Sequence, residues 1–227
     1  KVSFTHLIGY AIVEALCEMP QMNVRYSLND GKPAIDERAH VGFGLAIDIQ
    51  HAGERRLVVP VIHQADTLTF TGFVEAYQDI ISRAKAGSLS AEDYQGATVT
   101  LTNPGTIGTT TSVPRLMNGQ GVIIGVGAMD YPAEFAGVSP RKLALLGIGK
   151  TMFVSSTYDH RVIQGAASGD FLRLLDLKLS GRDGFYDRVF TALHIPVPPY
   201  AWEADFEYDL EREKGKPARI AELIQAY

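Results

Sequence analysis

The sequence has little of what marks secreted or membrane proteins. Its one cysteine, Cys17, cannot form an internal disulfide, which fits the reducing cytosol. No apolar run approaches the ~20 residues that a transmembrane helix needs. The first residues also lack the pattern of a secretory signal peptide. These absences predict a cytoplasmic protein that has no contact with a membrane.

Concentrated positive charge is also absent. The 21 Lys and Arg residues are outnumbered by 26 Asp and Glu, the formal net charge is -5, and no basic run gathers into a patch. A surface of this kind argues against nucleic acid as a partner, because binding to its phosphates depends on clustered cations. The histidines outside the motif discussed below show no metal-ligand spacing, and we expect no metal site. They are His6, His40, His51, His63 and His194.

The 227 residues contain 46% hydrophobic residues, enough for one large domain or a domain with an appendage. Apolar residues at helical spacing predict helices from Ser3 to Pro20, over Phe70–Ala86 and from Gly165 to Leu175. Apolar runs rich in β-branched residues predict strands. The predicted strand 57–62 contains Pro60, which favours an edge position or a bulge there. Mixed helix and strand order without strict βαβ alternation predicts an α+β sandwich with one sheet covered by helices. The predicted strands are 41–49, 57–62, 98–102, 121–127 and 151–157.

The C-terminal part has a different character. Prolines dominate 196–199, and six acidic side chains then alternate with apolar residues over 202–213. This composition predicts an extended linker over 196–217 that lies on a surface. From 218 onward Ile220, Leu223 and Ile224 fall at helical spacing, which predicts the first helix of a further domain.

Two loops carry residues suited to chemistry. His160 lies between the predicted strand 151–157 and the helix after Gly165, where a scaffold can hold a general base within reach of substrate. The loop 100–109 follows another strand and offers hydroxyls and backbone N–H groups that can stabilise an oxyanion. On residue types alone, a partly buried structural histidine and a glycine-rich turn with capping threonines explain the same residues.

A family resemblance bears on these alternatives. The residues Tyr-Asp-His-Arg-Val-Ile-Gln-Gly-Ala at 158–166, Thr-Leu-Thr-Asn-Pro-Gly at 100–105 and Gly-Val-Ile-Ile-Gly-Val-Gly at 121–127 resemble the E2 acyltransferases of 2-oxo acid dehydrogenase complexes. The family signature reads Asp-His-Arg-x-x-Asp-Gly, preceded by a Thr/Ser-Asn-x-Gly loop. The resemblance runs from Lys1 to about residue 180. The stretches 103–108, 112–116 and 129–135 are similar to the actinobacterial branch, in which a succinyltransferase core is fused ahead of a thiamine-dependent decarboxylase.

The resemblance implies a chloramphenicol-acetyltransferase-like two-layer sandwich, with a mixed sheet covered by helices. It implies a homo-oligomer of three subunits or a multiple of three, with each active site between two subunits. The expected division is an acyltransferase core over 1–195, the linker over 196–217 and the start of a decarboxylase over 218–227. Family cores begin with a further helix and strand before the segment that matches Lys1, so the resemblance implies that these N-terminal elements are missing here, either deleted or in an omitted part of the chain.

The implied reaction is succinyl transfer between dihydrolipoamide and coenzyme A. His160 would take the proton of the attacking thiol and Thr102 would stabilise the oxyanion, with Asn103, Asp159 and Gln164 in support. The implied partners are the lipoyl domain of an E2 protein, dihydrolipoamide dehydrogenase and other components of the complex. Thiamine diphosphate and Mg would belong only to the fused decarboxylase part, outside this chain.

Gln164 departs from the family carboxylate, since an amide cannot pair with an arginine as a charge. Two alternatives therefore stay open. The domain could be a catalytically silent trimeric scaffold that positions the decarboxylase, or it could transfer acetyl or branched-chain acyl groups instead of succinyl groups.

Overall fold

The structure, a computed structural model, describes residues 1–51 and 54–199. The predicted linker from residue 200 onward and the predicted helix after 218 lie outside the described residues. The helices of the described part are α1 (Phe4–Glu18), α2 (Phe70–Ala86), α3 (Pro140–Leu145), α4 (Gly165–Leu179) and α5 (Phe185–Ala192). Its strands are β1 (Val24–Asn29), β2 (Lys32–Glu37), β3 (Phe43–His51), β4 (Glu54–Val58), β5 (Val61–Ile62), β6 (Val99–Thr102), β7 (Val122–Val126) and β8 (Val154–Tyr158).

The main sheet has the order β4-β3-β6-β7-β8, and β5 also pairs with β3. The central strands β3, β6 and β7 run parallel, whereas β4, β5 and β8 are antiparallel to their neighbours. A separate two-stranded sheet is formed by β1 and β2. The predicted mixed sheet is therefore confirmed.

The helices cover the sheet because their apolar faces match it. The buried face of α1 carries Ile8, Ile12 and Leu16 at the spacing of one helix face. That helix packs against α2 and α4, while α2 contacts β3 and β5 and α4 contacts β8. Phe43 of β3 and Phe73 of α2 meet edge to face with ring centroids 5.5 Å apart, and both are fully buried. The predicted sandwich of helices on a sheet is confirmed.

A buried cation joins the first helix to the last part of the described chain. The side chain of Lys178 in α4 is fully buried, and its ammonium donates to Glu14, Glu18 and Asp183. Burial alone would lower the pKa of Lys178, but the hydrogen bonds to Glu18 and Asp183 and the charges of Asp183 and Glu14 together outweigh it and raise the pKa. Arg188 also contacts Glu14 and Asp183. This network ties α1, α4 and α5 together.

Several elements differ from the sequence expectations. The β1–β2 hairpin, α3 and α5 are absent from the predicted elements. The last strand begins at Val154 rather than at 151, because Thr151 pairs with Asp130 in an isolated bridge. The run 57–62 divides into the end of β4 and the short β5, and the Pro60 carbonyl between them still accepts from the Leu45 N–H (2.9 Å). Pro60 therefore lies in a break between two short strands, one of which, β4, is at the edge of the sheet.

Candidate functional site

The turn between β8 and α4 presents His160. The backbone N–H groups of Val162 and Ile163 both donate to the Asp159 carbonyl oxygen, at 3.0 and 2.9 Å. Ile163 anchors the turn in the core with 1% of its surface exposed. The Ser168 and Ser156 hydroxyls, 2.9 Å apart, join α4 to β8. A rigid strand and helix therefore fix both ends of the turn.

Asp159 is held in place rather than free to act as a base. Its carboxylate accepts from the backbone N–H of Arg161 (3.1 Å) and from that residue's guanidinium (2.6 and 2.8 Å). These hydrogen bonds keep the pKa of Asp159 below its ordinary value. The Asp159 N–H donates to the Gly121 carbonyl oxygen (2.8 Å), and the Arg161 guanidinium stacks 3.8 Å from the centre of the Tyr26 ring. Asp159 thus joins the turn to the residue just before β7, and Arg161 joins it to the β1–β2 hairpin.

His160 itself is exposed and open to a ligand. Its ring lies 5.4 Å from the Tyr158 ring, centroid to centroid, at 47°. Neither ring nitrogen hydrogen-bonds to any residue that the structure describes. An imidazole in this position can accept a proton from a bound substrate and return it.

Gln164 lies on the same turn, four residues after His160. It occupies the N-cap position of α4 with extended backbone angles, and its side chain makes no capping hydrogen bond. The amide is exposed and has no side-chain hydrogen bond within the described part of the chain. It can therefore donate to or accept from a substrate beside the imidazole.

Thr102 is the last residue of β6 and is half-buried. It is in register with Gly125 of β7, which in turn is in register with Ser155 of β8. The Thr102 hydroxyl forms no hydrogen bond with another described residue. The amide nitrogen of Asn103 donates to the Thr5 hydroxyl at the start of α1 (3.1 Å). Asn103 therefore positions the strand end, and Thr102 keeps a free donor.

The loop after Thr102 lies tightly against β7. A Cβ atom at Gly105 would be 2.3 Å from the Gly127 carbonyl carbon and 2.5 Å from the Ala128 nitrogen, so only glycine fits. The N–H groups of Gly108 and Thr109 donate to the carbonyl oxygens of Gly105 and Pro104. The expectation that this loop offers free backbone N–H groups for an oxyanion is wrong for these two, because the turn uses them internally.

One chain does not bring His160 and Thr102 together. The row Thr102–Gly125–Ser155 crosses the sheet near one end, and the row Val99–Val122–Tyr158 crosses it near the other. The rows are three residues apart, or ~10 Å, and two strand spacings add ~10 Å laterally. His160 lies beyond Tyr158, farther still from Thr102. This separation is far beyond hydrogen-bonding distance.

Sequence patterns miss the residues that fix the turn from a distance. Tyr26 of the hairpin and Gly121, just before β7, contact the motif, and no local pattern marks either contact. Gly121 is confined as well, because a Cβ atom there would lie 1.9 Å from the Val24 carbonyl oxygen. Arg161 is visible in the sequence only as a member of the motif.

Two further classes of site are absent from the part that the structure describes. Residues 1–51 and 54–199 contain no group of three or more His, Cys, Asp or Glu side chains placed to hold a metal ion. Within the same residues, no helix has both the length and the apolar character to cross a membrane.

The sequence matches both a family model and individual known proteins. Residues 1–181 match the model of the 2-oxoacid dehydrogenases acyltransferase (catalytic domain) family. The whole chain is 55% identical to the "Multifunctional 2-oxoglutarate metabolism enzyme" of Mycobacterium sp. (strain JLS). The chain spans 18% of the length of that relative.

Solved structures show the same architecture. The cubic core of a pyruvate dehydrogenase multienzyme complex is 27% identical, covering 85% of this chain and 72% of its own, with a TM-score of 0.62. The dihydrolipoamide acetyltransferase of Azotobacter vinelandii is 26% identical and has a TM-score of 0.63. The match again covers 85% of this chain and 72% of the other. That structure was determined to examine the roles of one serine, one histidine and one asparagine in the catalytic mechanism, the last two being four residues apart.

Proposed function

Because this chain belongs to the 2-oxoacid dehydrogenase acyltransferase family, we propose that it transfers a succinyl group between dihydrolipoamide and coenzyme A. Family membership confirms the predicted acyltransferase class, and the similarity to solved cores confirms the predicted fold. The name of the Mycobacterium relative supports the acyl group, since oxidative decarboxylation of 2-oxoglutarate leaves a succinyl group.

The observation that carries the proposal is the imidazole of His160, which is exposed and hydrogen-bonds to none of the described residues, on a turn that Asp159 and Arg161 hold in place. His160 accepts the proton of the coenzyme A thiol, and the thiolate attacks the carbonyl carbon of succinyl-dihydrolipoamide. The tetrahedral intermediate collapses and expels the dihydrolipoyl thiolate, which takes the proton back from the imidazolium. No acyl-enzyme forms.

The oxyanion of that intermediate needs a donor, and the hydroxyl of Thr102, which has no hydrogen-bond partner among residues 1–51 and 54–199, suits the task. Because Thr102 and His160 lie at opposite ends of one chain's sheet, we place the active site between two copies. Each copy then supplies His160 to one site and Thr102 to another. A closed ring of copies satisfies every site, and a trimer or a multiple of three is the assembly that we propose.

Gln164 fits an active site despite replacing a carboxylate. In the Azotobacter acetyltransferase, an asparagine four residues after the histidine is one of the residues studied for its catalytic role. An amide at this spacing can orient a substrate by hydrogen bonds without a charge. We therefore assign Gln164 a positioning role beside His160.

The proposal also covers a longer polypeptide, of which this chain would be one part. The core over 1–195 would be followed by the linker 196–217 and, from 218, by a decarboxylase part that holds thiamine diphosphate and Mg. The lipoyl domain of an E2 protein would deliver the acyl group, and dihydrolipoamide dehydrogenase would reoxidise the dihydrolipoyl group. Support comes from the multifunctional relative, of which this chain spans 18%.

A thioester-exchange assay with succinyl-CoA and dihydrolipoamide tests the reaction. We expect His160→Ala to lower the rate by ~10²-fold or more, as loss of a general base does. A parent chain as inactive as His160→Ala, yet still oligomeric, would favour the silent scaffold. Faster transfer from acetyl-CoA than from succinyl-CoA would overturn the substrate assignment.

A mixing experiment tests the shared site. Equal amounts of His160→Ala and Thr102→Val are unfolded together, refolded and assayed. In a ring of randomly mixed copies, a site with both intact residues arises about a quarter of the time, so about a quarter of the parent activity should return. Each variant refolded alone is the control. Activity no higher than in these controls would place both residues of a site in one copy.

A further inference from the structure

His6 is a buried histidine that the chemistry proposed above does not use. It is the third residue of α1, and only 5% of its surface is exposed. Its ring meets the Tyr77 ring of α2 edge to face, with centroids 4.4 Å apart and an interplanar angle of 83°. The Nε2 atom is buried and hydrogen-bonds to no residue of the described part. A buried polar atom without a partner costs free energy, which the contacts of the rest of the ring must offset.

The other ring nitrogen caps the first turn of α1. The backbone N–H of Ser3, the N-cap residue, donates to Nδ1 of His6 (2.9 Å), and the Ser3 hydroxyl lies 3.0 Å from the same atom. In a capping box, a glutamate or glutamine three residues after the N-cap makes this contact. An imidazole takes its place here and ties the chain ahead of the helix to its first turn.

The cap requires the neutral form of the His6 ring. Because Nδ1 accepts a hydrogen bond, it carries no proton, and the single proton of the neutral imidazole is on Nε2. Burial lowers the pKa of His6 from its ordinary value, which favours this neutral form. The cap therefore stays in place at neutral pH.

The capped turn also holds the residue that follows Thr102. Thr5 precedes His6 in the first turn of α1, and its hydroxyl accepts from the amide of Asn103 (3.1 Å). Asn103 comes directly after Thr102, the last residue of β6. A displacement of the first turn of α1 would therefore be passed to the end of β6 that carries the Thr102 hydroxyl.

We propose that His6 is a positioning residue for the acyl transfer and acts, through the first turn of α1, on the hydroxyl of Thr102. The inference rests on the proposed function, in which Thr102 stabilises the oxyanion. An oxyanion donor has to point at the developing charge before the reaction begins, and a misplacement of ~1 Å can lower a rate by ~10²-fold. The imidazole suits this task because its ring packs on Tyr77 while its Nδ1 atom fixes the cap.

Substitutions of His6 test this role. His6→Leu removes the acceptor but keeps an apolar side chain in the buried position, and we expect kcat to fall by ~10-fold or more with little change in the KM for coenzyme A. His6→Gln restores an acceptor at the capping-box position and should recover most of the lost kcat. His63→Leu, at an exposed histidine, is the control and should leave both constants unchanged. Equal kcat values for His6→Leu and the parent, or no recovery in His6→Gln, would overturn the proposal.

A double-mutant cycle tests the route through Thr5. Thr5→Val keeps the shape of the side chain and removes the acceptor of the Asn103 amide, so we expect it to lower kcat as well. If His6 acts through this contact, the double variant loses no more activity than the more affected single variant. Losses in kcat that multiply in the double variant would show independent effects and would contradict the route.

A mixing experiment separates a local effect on Thr102 from general damage to the fold. In the shared site, His6 belongs to the copy that supplies Thr102, so His6→Leu refolded with an equal amount of His160→Ala should recover about a quarter of the parent activity. His6→Leu refolded with Thr102→Val should stay at or below the activity of His6→Leu alone, because every site then has a defective threonine end. Similar activities in the two mixtures would overturn the proposal.

Failure of this inference differs from failure of the proposed function. A parent chain that is inactive in thioester exchange, or a mixture of His160→Ala and Thr102→Val that recovers nothing, would overturn the proposed function or its shared site, and the role of His6 with it. If the parent is active and that mixture recovers, but His6→Leu matches the parent, only the role of His6 fails.

Discussion

At one end of the main sheet, charged side chains hold His160, whereas at the other end glycines packed against backbone hold Thr102. The histidine end is the β8–α4 turn, where Asp159, Arg161 and Tyr26 meet on the surface. The threonine end is the end of β6 with the following loop, where Gly105 touches the backbone of Gly127. The first arrangement depends on charge and the second on space.

The difference between the two ends matches the proposed roles of His160 and Thr102. A general base changes its charge during the reaction and must remain accessible to the substrate, so a turn held by an ion pair at the surface suits its surroundings. An oxyanion donor must already point at the charge that develops, and close packing fixes it without reorganisation. We therefore expect the threonine end to respond sharply to changes in shape and the histidine end to respond to pH.

After the loss of the His160 imidazole, removing the hydroxyl of Thr102 should have the largest effect. Thr102→Val keeps the shape of the side chain but loses the donor, and we expect the exchange rate to fall by ~10²-fold. Thr102→Ser restores a hydroxyl and should retain most of the activity, while the thermal stability of both variants stays close to that of the parent. Equal activity in Thr102→Val and in the parent would remove Thr102 from the mechanism.

Gly105→Ala should have the next largest effect, on stability as well as on activity. The added methyl group meets the Gly127 and Ala128 backbone, which cannot rotate away, and we expect a loss of about 1–3 kcal/mol in the free energy of unfolding. Gly149→Ala is the matched control, since nothing lies within 4 Å of its Cβ position. Equal urea midpoints for the two variants would show that the loop accommodates the methyl group. The threonine end would then not depend on close packing.

Asp159→Asn should produce a smaller effect that depends on pH. The pKa of Asp159 is lowered in the folded chain, so its pairing with Arg161 contributes stability above the ordinary value of ~3.9. That contribution is lost as the pH falls through the lowered pKa. We expect the variant to melt below the parent at neutral pH and the difference to vanish in acid. Asp170→Asn, at an exposed site on α4, is the control. A difference that persists at low pH would point to packing instead of charge.

Arg161→Lys should have the smallest effect. Lysine keeps the charge but loses the forked contact with Asp159 and the flat stack on Tyr26. We expect a few-fold rise in KM with little change in kcat, because the turn shifts while His160 remains intact. Arg182→Lys, which alters a comparable exposed ion pair, should change neither constant. A large fall in kcat would mean that the guanidinium itself meets the substrate.

The long helices were predictable because their signals are local. The apolar spacing in α1 and α2 gives their buried faces, and Pro20 and Gly87 mark their ends. The β1–β2 hairpin also has a local signal, in its turn. Asp30 and Gly31 both have positive φ, at 50° and 76°, as a type I′ turn requires. Pro33 inside β2 obscures that signal, because proline is uncommon in strands.

The site was predictable only in part. The motifs identify His160, Gln164 and Thr102, but no sequence pattern reports that the last of these lies at the far end of the sheet. That fact depends on the antiparallel pairing of β7 with β8, which turns the last strand back toward the opposite end. The contact between Tyr26 and Arg161 joins two elements far apart in sequence, so it exists only once the chain is folded.

The buried ammonium of Lys178 also bears on where the core can be cut. The family match stops at residue 181, yet Lys178 donates to Asp183, and Arg188 joins Glu14 of the first helix to the same carboxylate. A polypeptide cut at the edge of the match would keep the burial of this cation and lose one of its three counter-charges. We therefore expect a stable piece of this chain to extend through α5, because the network joins the first helix to the last helix of the described part.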